Sequence, residues 1–215
     1  DLVQAHAEVD FRARLFRWAE ALCPGHHWFY NGFDPATGST VTQQWTPELD
    51  RIIPRDLICM PVPVAEMPVY REAHFRQQPI AIPDCAAHPL FPRALLEKMP
   101  YRSLFVFPMI HEGETAGLLC TGTFGSEGRT EMDEAVFKVL ADLAGNAGIS
   151  LGRLRAQLSL ADSETRYRRS FDESLDAILV GDQSRFIMAN DAAVQLLGRS
   201  LGEITAAGGD VRGFL

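Results

Sequence analysis

The sequence lacks any apolar run of about 18 residues, the length that a membrane-spanning helix requires. Basic residues are also few, because 20 Lys and Arg stand against 28 Asp and Glu, which gives a formal net charge of -8. Proteins that bind nucleic acid need clustered Lys and Arg to contact phosphates. These two absences argue against a membrane contact in this segment and against a nucleic-acid partner.

The motifs of the common catalytic and metal-binding classes are absent as well. The four cysteines (Cys23, Cys59, Cys85 and Cys120) form no CxxC pair and match no zinc spacing. The sequence shows no phosphate-binding loop, no paired-carboxylate motif and no Ser-His-Asp arrangement. We therefore expect a non-catalytic segment and predict no metal site, and the sequence identifies no particular cofactor. Its cysteines are expected to be reduced and mostly buried, as in cytoplasmic proteins.

What is present is an ordinary globular composition, with 47% hydrophobic, 22% charged and 9% aromatic residues. A chain of 215 residues is long enough to bury a substantial core, and its length predicts one or two domains. The chain begins with Asp1 and Leu2 rather than with Met, so we interpret it as an internal segment of a longer protein.

The periodicity of apolar residues predicts a succession of helices and strands. The predicted elements of the first part are a helix at 2–22, a hairpin of strands at 27–33 and 39–46, a helix at 66–77, a short strand at 79–83, a short helix at 93–99, and a second hairpin of strands at 103–109 and 115–124. Residues 47–65 are rich in proline and predict an irregular connection, a kind of segment that often lines a binding site.

A long helix is predicted to begin at Thr130, with Thr130 and Asp133 arranged as in a capping box. Its apolar residues recur every three or four positions, and this leucine stripe comprises Val136, Leu140, Leu143, Ala147, Leu151, Leu154 and Leu158. A stripe of about four heptads fits a helix that leaves the domain as a dimeric coiled coil. The alternative is a long helix packed on its own sheet. We predict a connecting helix over 130–172 and a homodimer interface formed by the leucine stripe.

A second pattern begins after Glu164. It predicts a polar helix at 166–175, strands at 176–182 and 185–190 joined by a turn at 182–184, a helix at 191–197 that ends at Gly198, and the start of a further helix at 200–204.

The segment from Tyr101 to Leu119 contains an ordered set of features: a Ser, an apolar strand that ends in Pro, a tight Gly turn and a Gly-Leu strand. Together with the preceding helix, hairpin and long loops, and with the sequence TEMDE at 130–134, it resembles a GAF domain over residues 1–160 or so. The resemblance implies an α/β fold: a mainly antiparallel sheet of about six strands, with a helix bundle on one face and loops that close a pocket on the other. We assign residues 1–155 to this domain.

A second resemblance covers residues 164–215. The segment from Tyr167 to Val180, followed by FIMANDAA at 186–193, is similar to the N-terminal half of a PAS domain, in which an Asn followed by an Ala-containing helix closes the second strand. We therefore expect residues 173–215 to be a truncated PAS domain.

The two resemblances imply a non-catalytic sensory input module of a bacterial signal-transduction protein. A small ligand or a partner would bias the pocket loops, and the helix at 130–172 would relay the change to a downstream output domain of histidine kinase or cyclic-di-GMP type. A cytoplasmic location is expected. The alternative is a ligand-free GAF scaffold that serves dimerisation only.

Strand alternation and loop position select candidate residues for the pocket. The predicted ligand-binding residues are Trp45, Tyr70, His74, Asp84, His88, Phe105, Phe107 and Cys120. Their aromatic members favour an apolar or planar ligand, because concave sites are mostly apolar with a few polar groups.

Three more specialised functions have less support from the residues. A haem sensor would use a His ligand, for which His74 and His88 are the better placed candidates. A bilin sensor would need a Cys where the sequence reads FPR at 91–93, and Cys85 stands about six residues earlier. A cysteine-based methionine sulfoxide reductase would need Cys59 and Cys85 to meet across the pocket, and the Gly-rich Cys segment of that family is missing.

Overall fold

The computed structural model describes residues 2–34, 36–125, 130–181, 186–200 and 202–203 of the chain. The chain divides into two compact units, Asp1–Arg155 and Ala156–Leu215, with the boundary inside a long helix. Within the described ranges, no helix combines the length and the apolar character needed to cross a bilayer.

The first unit is built on a six-stranded antiparallel sheet. Its strands are β1 (His27–Asp34), β2 (Ser39–Trp45), β3 (Val62–Pro63), β4 (Ile80–Ile82), β5 (Tyr101–His111) and β6 (Glu114–Phe124). They are ordered β3-β2-β1-β6-β5-β4 across the sheet. The helices are α1 (Leu2–Leu22), α2 (Arg55–Ile58), α3 (Pro68–Arg76), α4 (Arg93–Leu96) and the first part of α5 (Glu134–Asp172), with 3-10 turns at Pro47–Arg51 and Val64–Glu66. The predicted fold class is confirmed.

The β5–β6 hairpin sets which side chains face each side of the sheet. Glu112 and Gly113 have positive φ angles of 51° and 81°, as a two-residue type I′ turn requires. This tight turn fixes the pairing of two strands of 11 residues each. Each strand therefore presents alternate side chains to opposite faces of the sheet.

Two hydrophobic cores lie on the two faces of this sheet. The helix-side core is formed where α1 and α5 cover the sheet, and it contains Trp28 and Leu140. The loop-side core is formed under α3 and the connecting segments, and it contains Ile53, Tyr70 and Leu104. The long helices α1 and α5 thus cover one face, and short helices and loops cover the other, in agreement with the arrangement that the GAF resemblance implies.

Helix α5 begins at Glu134, four residues later than the sequence predicts. The carboxylate of Asp133 accepts hydrogen bonds from the backbone amides of Ala135 at 2.8 Å and Val136 at 3.3 Å. A side chain that accepts from the second and third amides of a helix is its N-cap. The cap is therefore Asp133, and the prediction of a Thr130 cap is wrong.

The leucine stripe of α5 makes different contacts from those predicted. Leu140, Ala147 and Leu151 are buried in the helix-side core, where 0%, 6% and 0% of their surfaces are exposed. These three side chains pack on the chain's own sheet, so their assignment to a dimer interface is wrong. An amphipathic stripe predicts that one face of a helix is buried, but it does not identify the surface that buries it. The remaining members, all half-buried, are Val136, Leu143, Leu154 and Leu158.

Helix α5 touches strand β5 through two glycines. A Cβ atom at Gly148 would lie 2.3 Å from the backbone nitrogen of Ile110, and one at Gly152 would lie 2.1 Å from the ring of His111. A side chain at Gly148 would push the helix away from the strand, and one at Gly152 would displace the ring of His111. Glycine therefore permits the close approach of the helix backbone to the end of β5.

The second unit contains the rest of α5 and a small α/β segment. Strands β7 (Leu179–Gly181) and β8 (Phe186–Ala189) pair antiparallel, and helix α6 (Asp191–Leu197) follows them. The predicted turn at 182–184 lies outside the described residues, as do residues 204–215 at the end of the predicted PAS segment.

The side chain of Asn190 organises this small segment. Its Oδ1 accepts hydrogen bonds from the amides of Ile178 at 2.8 Å and Ala193 at 3.0 Å, and the second of these caps α6. Its Nδ2 donates to the carbonyls of Phe171 and Asp176. One buried residue thus links the end of α5, the segment before β7 and the start of α6.

Candidate ligand-binding site

A cavity lies on the loop side of the sheet in the first unit. Strands β1, β2 and β5 contribute to its lining, together with α3, α4 and the segment around α2. The described residues that line it include no Asp, Glu, Lys, Arg or His. Its apolar wall includes Phe29, Ile53, Ile58, Met60, Leu95 and Met99.

Polar side chains form a connected cluster in this cavity. The hydroxyl of Thr42 donates to Oδ1 of Asn31 at 2.8 Å, and the hydroxyl of Tyr70 makes side-chain hydrogen bonds with Asn31 and Tyr101. Cys120 lies beside them, since Nδ2 of Asn31 donates to its Sγ at 3.9 Å. The cluster brings together residues from β1, β2, α3, β5 and β6.

The ionisable members of this cluster are held in their neutral forms. Burial raises the pKa of Tyr70 well above its usual value, and it also raises the pKa values of Tyr101 and Cys120. Burial disfavours the charged form of each group because no opposite charge compensates the lost hydration. The cavity therefore offers neutral hydroxyl, amide and thiol groups. A charged ligand would lose its own hydration here without a counter-charge.

The cavity is nearly closed in this conformation. Its free volume is about 30 Å³, which is room for about two water molecules. Sites for small organic molecules usually measure roughly 300–1,000 Å³. A ligand of that size would therefore have to displace part of the wall.

Two of the predicted pocket residues lie at this cavity. Tyr70 lines it, and Cys120 adjoins its polar cluster. Trp45 packs at the margin of the loop-side core instead. Its Nε1 donates to Oδ1 of Asp50 at 2.8 Å, and the guanidinium of Arg55 lies 5.3 Å from the centre of its ring. Trp45 therefore belongs to a surface cluster.

Asp84 and His88 hold the shape of their own loop. The carboxylate of Asp84 accepts from the amide of Ala86 at 3.0 Å, and Nδ1 of His88 accepts from the amide of Leu90 at 3.3 Å. Asp84 is exposed, and neither residue is among those that line the cavity. Both contacts are local ones made by a polar loop.

Phe105 and Phe107 lie on the opposite face of the sheet. Both are buried in the helix-side core, where the ring of Phe137 on α5 lies 5.1 Å from that of Phe107. The prediction that they line the pocket is therefore corrected. Strand β5 is apolar on both faces, so its sequence does not distinguish the alternating set that faces the loops, which contains Leu104 and Val106.

His74 lies in a second, open groove near the end of α3. Its ring packs between those of Phe33 and Phe75. The groove does not share a described lining residue with the cavity, so the structure does not bring His74 together with Tyr70 in one site.

Three functional candidates at the cavity were missed by sequence reasoning: Asn31, Thr42 and Tyr101. The signal for Asn31 was present, because it is a polar residue in the middle of the aromatic strand β1. A polar side chain at a fully covered strand position needs a buried partner. Applied to Asn31, this rule predicts buried polar partners, and in the structure these partners are Thr42 and Tyr70.

The cysteines show no sign of thiolate chemistry. All four are free, and only Cys59 is exposed. Burial raises the pKa of Cys85 to about 12, and the nearby Asp84 acts in the same direction. A nucleophilic thiol needs a lowered pKa, so this arrangement does not favour sulfoxide reduction. Among the described residues, no group of three or more His, Cys, Asp or Glu could hold a metal ion.

The sequence matches the GAF domain family over residues 11–147 and a PAS domain family over residues 165–214. The first match covers well over half of the chain, and the predicted order of the two resemblances is confirmed. No curated protein shows significant similarity to the chain.

Solved structures share the fold at low sequence identity. The blue-light absorbing form of the PixJ GAF domain from Thermosynechococcus elongatus has a TM-score of 0.60 at 20% identity, covering 78% of this chain and 98% of that one. A GAF domain/HD domain protein from Geobacter sulfurreducens has a TM-score of 0.59 at 14% identity, with coverages of 68% and 93%. The GAF domain of a phosphoenolpyruvate-protein phosphotransferase from Coxiella burnetii has a TM-score of 0.52 at 16% identity, with coverages of 72% and 98%. At such identities the likeness establishes the fold alone.

Proposed function

This chain belongs to the GAF domain family, and from that membership we propose that it is a sensory input module of a signal-transduction protein. GAF and PAS domains are in general sensory and non-catalytic, and here one follows the other. The segment is inferred to sense and relay rather than to catalyse. We further infer a cytoplasmic protein with a downstream output domain of histidine kinase or cyclic-di-GMP type.

The observation that carries a ligand proposal is the neutral polar cluster inside an apolar cavity. Its hydroxyl, amide and thiol groups can exchange hydrogen bonds with a ligand but cannot compensate a charge. We therefore infer an uncharged ligand with an apolar or planar body. Its polar group would replace part of the hydrogen bonding between Tyr70, Asn31 and Tyr101.

Entry of such a ligand requires a second conformation. Apart from the two-residue strand β3, the regular structure of the wall between β2 and α3 consists of helical turns of three to five residues. Short turns of this kind have few internal hydrogen bonds and are the natural part to move. The closed conformation and an open, ligand-bound one would be the two states that a sensor needs, because a ligand shifts only an equilibrium between states of different affinity.

The relay is proposed to run through α5 in a homodimer. The three buried residues of the leucine stripe are not available for this contact, but Val139 and Ile149 of α5 are 48% and 43% exposed. Trp18 of α1 is 64% exposed. These exposed apolar side chains are the proposed dimer surface, since a second copy would remove them from water.

The ligand proposal is tested with a conservative variant. The purified chain is examined by native mass spectrometry and absorption for a retained molecule, and is then titrated with neutral and charged aromatic compounds. Tyr70→Phe removes one hydroxyl, so we expect binding of a neutral ligand to weaken by about tenfold. Tyr167→Phe, at an exposed tyrosine of the second unit, serves as the matched control and should change nothing. Unchanged affinity in Tyr70→Phe would contradict the site.

A ligand-free scaffold is the second candidate, and the small cavity volume favours it. Under this alternative the polar cluster only stabilises the core and no neutral compound binds. The same titration distinguishes the two, because a scaffold would show neither a retained molecule nor a ligand-induced rise in melting temperature.

A further inference from the structure

The groove that contains His74 is large enough for a ligand in the conformation seen. It is formed by the ends of α3 and β1, the β5–β6 turn and the middle of α5, and its volume is about 650 Å³. That value falls within the roughly 300–1,000 Å³ typical of small-molecule sites. The cavity of the proposed function holds about 30 Å³ by comparison.

One side of the groove is an aromatic corner. The ring centres of His74 and Phe75 are 5.0 Å apart with an angle of 87° between the planes, and the ring of Phe33 lies 4.4 Å from that of His74 at an angle of 39°. Phe75 is 71% exposed, an unusual placement for a side chain that normally contributes its area to a core. An exposed aromatic ring can hold an organic cation over its π face, and proteins use clustered rings for this purpose.

The aromatic corner of the groove has a carboxylate near it, that of Glu114. Glu114 lines the groove and is exposed, and no Lys or Arg in the described part of the chain lies within salt-bridge distance of its carboxylate. The one cation in the lining, Arg155, donates two hydrogen bonds of 3.0 Å to the carboxylate of Glu8, which also pairs with Arg12 at 3.1 Å, so Glu8 compensates only part of the charge of Arg155. Burial lowers the pKa of His74, although Glu114 opposes this effect, so the ring favours its neutral form.

We propose that this groove binds a small organic cation, an alkylated ammonium group on a compact apolar body. The ammonium is held against the rings of His74 and Phe75 and near the carboxylate of Glu114. An anion would have to compete for the Arg155 guanidinium, because each of its three nitrogens already donates to Glu8 or to the carbonyl of Ala116. A neutral apolar molecule could pack against the rings but would have no electrostatic attraction to the carboxylate of Glu114.

The position of this site gives it a direct contact with the relay helix. Gly152 and Arg155 of α5 line the groove, so a bound cation touches the helix without passing through the ligand cavity. The site is therefore independent of the proposed ligand cavity. A finding that no ligand binds at one of them would leave the proposal for the other unaffected.

The test compares choline with its neutral tert-butyl isostere, which has the same shape and no charge. Calorimetry is expected to give a dissociation constant for choline on the order of 1 mM, about tenfold tighter than for the isostere. The amide signals of Gly113 and Thr115, which line the groove, should shift in NMR spectra during the choline titration.

Two variants and a control complete the test. Phe75→Leu keeps an apolar side chain but removes the ring, and Glu114→Gln removes the charge; each should weaken choline binding by at least about fivefold. Glu131→Gln, an exposed charge that is not among the groove residues, should leave it unchanged. Equal affinity for choline and the isostere, no saturable binding up to about 10 mM, or unchanged affinity in both variants would overturn the proposal.

Discussion

The contact between α5 and β5 predicts opposite effects of one substitution at two glycines of the same helix. At Gly145 an added Cβ would meet no atom within 4 Å, and Ala is preferred over Gly inside a helix by about 1 kcal/mol. At Gly148 the added atom would lie 2.3 Å from the backbone nitrogen and 2.6 Å from the carbonyl oxygen of Ile110. Gly145→Ala is therefore expected to stabilise the first unit, and Gly148→Ala to destabilise it.

The size of the second effect follows from what the new methyl group meets. Overpacking a core costs about 1–3 kcal/mol, and the upper end applies at Gly148 because backbone atoms cannot rotate away. Subtracting the gain in helix propensity of about 1 kcal/mol leaves a net loss of about 2 kcal/mol. Gly152→Ala should fall between the two, because its contact is the ring of His111, which is a side chain that can turn aside.

Urea unfolding followed by tryptophan fluorescence measures these differences. All three tryptophans, Trp18, Trp28 and Trp45, lie in the first unit, so the signal reports that unit. With a slope of about 2–3 kcal/mol/M, the midpoint should fall by nearly 1 M in Gly148→Ala and rise by about 0.4 M in Gly145→Ala. A rise of equal size in both variants would refute the packing of α5 on β5, and with it the description of the helix-side core.

Two further predictions concern assembly and thiol chemistry. Ile149→Glu should shift a homodimer toward monomer in sedimentation, because a charge would be buried in the proposed contact. Asn146→Glu, at an exposed polar position of the same helix, should leave the dimer unchanged. An unchanged dimer in Ile149→Glu would exclude that surface. Iodoacetamide at pH 8 should modify Cys59 well before Cys85. Because the pKa of Cys85 is raised to about 12, only a small fraction of this cysteine is in the reactive thiolate form. Equal rates of modification, measured by peptide mass spectrometry, would contradict the burial of Cys85.

Elements whose ends are set by local signals could be predicted from the sequence. Helix α1 ends at Leu22, before the Pro24-Gly25 stop, and α6 ends at Gly198, which takes the left-handed conformation with φ of 61°. Both helices have the predicted bounds because a proline or a glycine interrupts a helix whatever its tertiary surroundings. The order of the GAF and PAS matches could be predicted for a similar reason, since it depends on short ordered motifs.

Features that depend on a choice between two partners could not be predicted in this way. The leucine stripe showed that one face of α5 is covered, but the covering surface is the chain's own sheet for Leu140 and Leu151. Likewise, β5 is apolar on both faces, so its sequence does not show which alternating set of side chains faces the loops. Assigning Phe105 and Phe107 to the pocket chose the wrong set, which is equivalent to an error of one residue along the strand. A slip of one residue exchanges the two faces entirely, so most of the candidate site could not be located before the sheet pairing was known.

Strand β5 provides a physical route from the proposed ligand cavity to the relay helix. Its first residue, Tyr101, belongs to the polar cluster, and its last residues, Ile110 and His111, lie against Gly148 and Gly152 of α5. Strand β5 resists bending because it pairs with β6 from Tyr101 to His111 and with β4 at Leu104, Phe105 and Val106. A ligand that displaces Tyr101 would therefore act on a strand whose far end has no free space against α5. Gly152 also lines the proposed cation groove, so two chemically different inputs would converge on one stretch of α5.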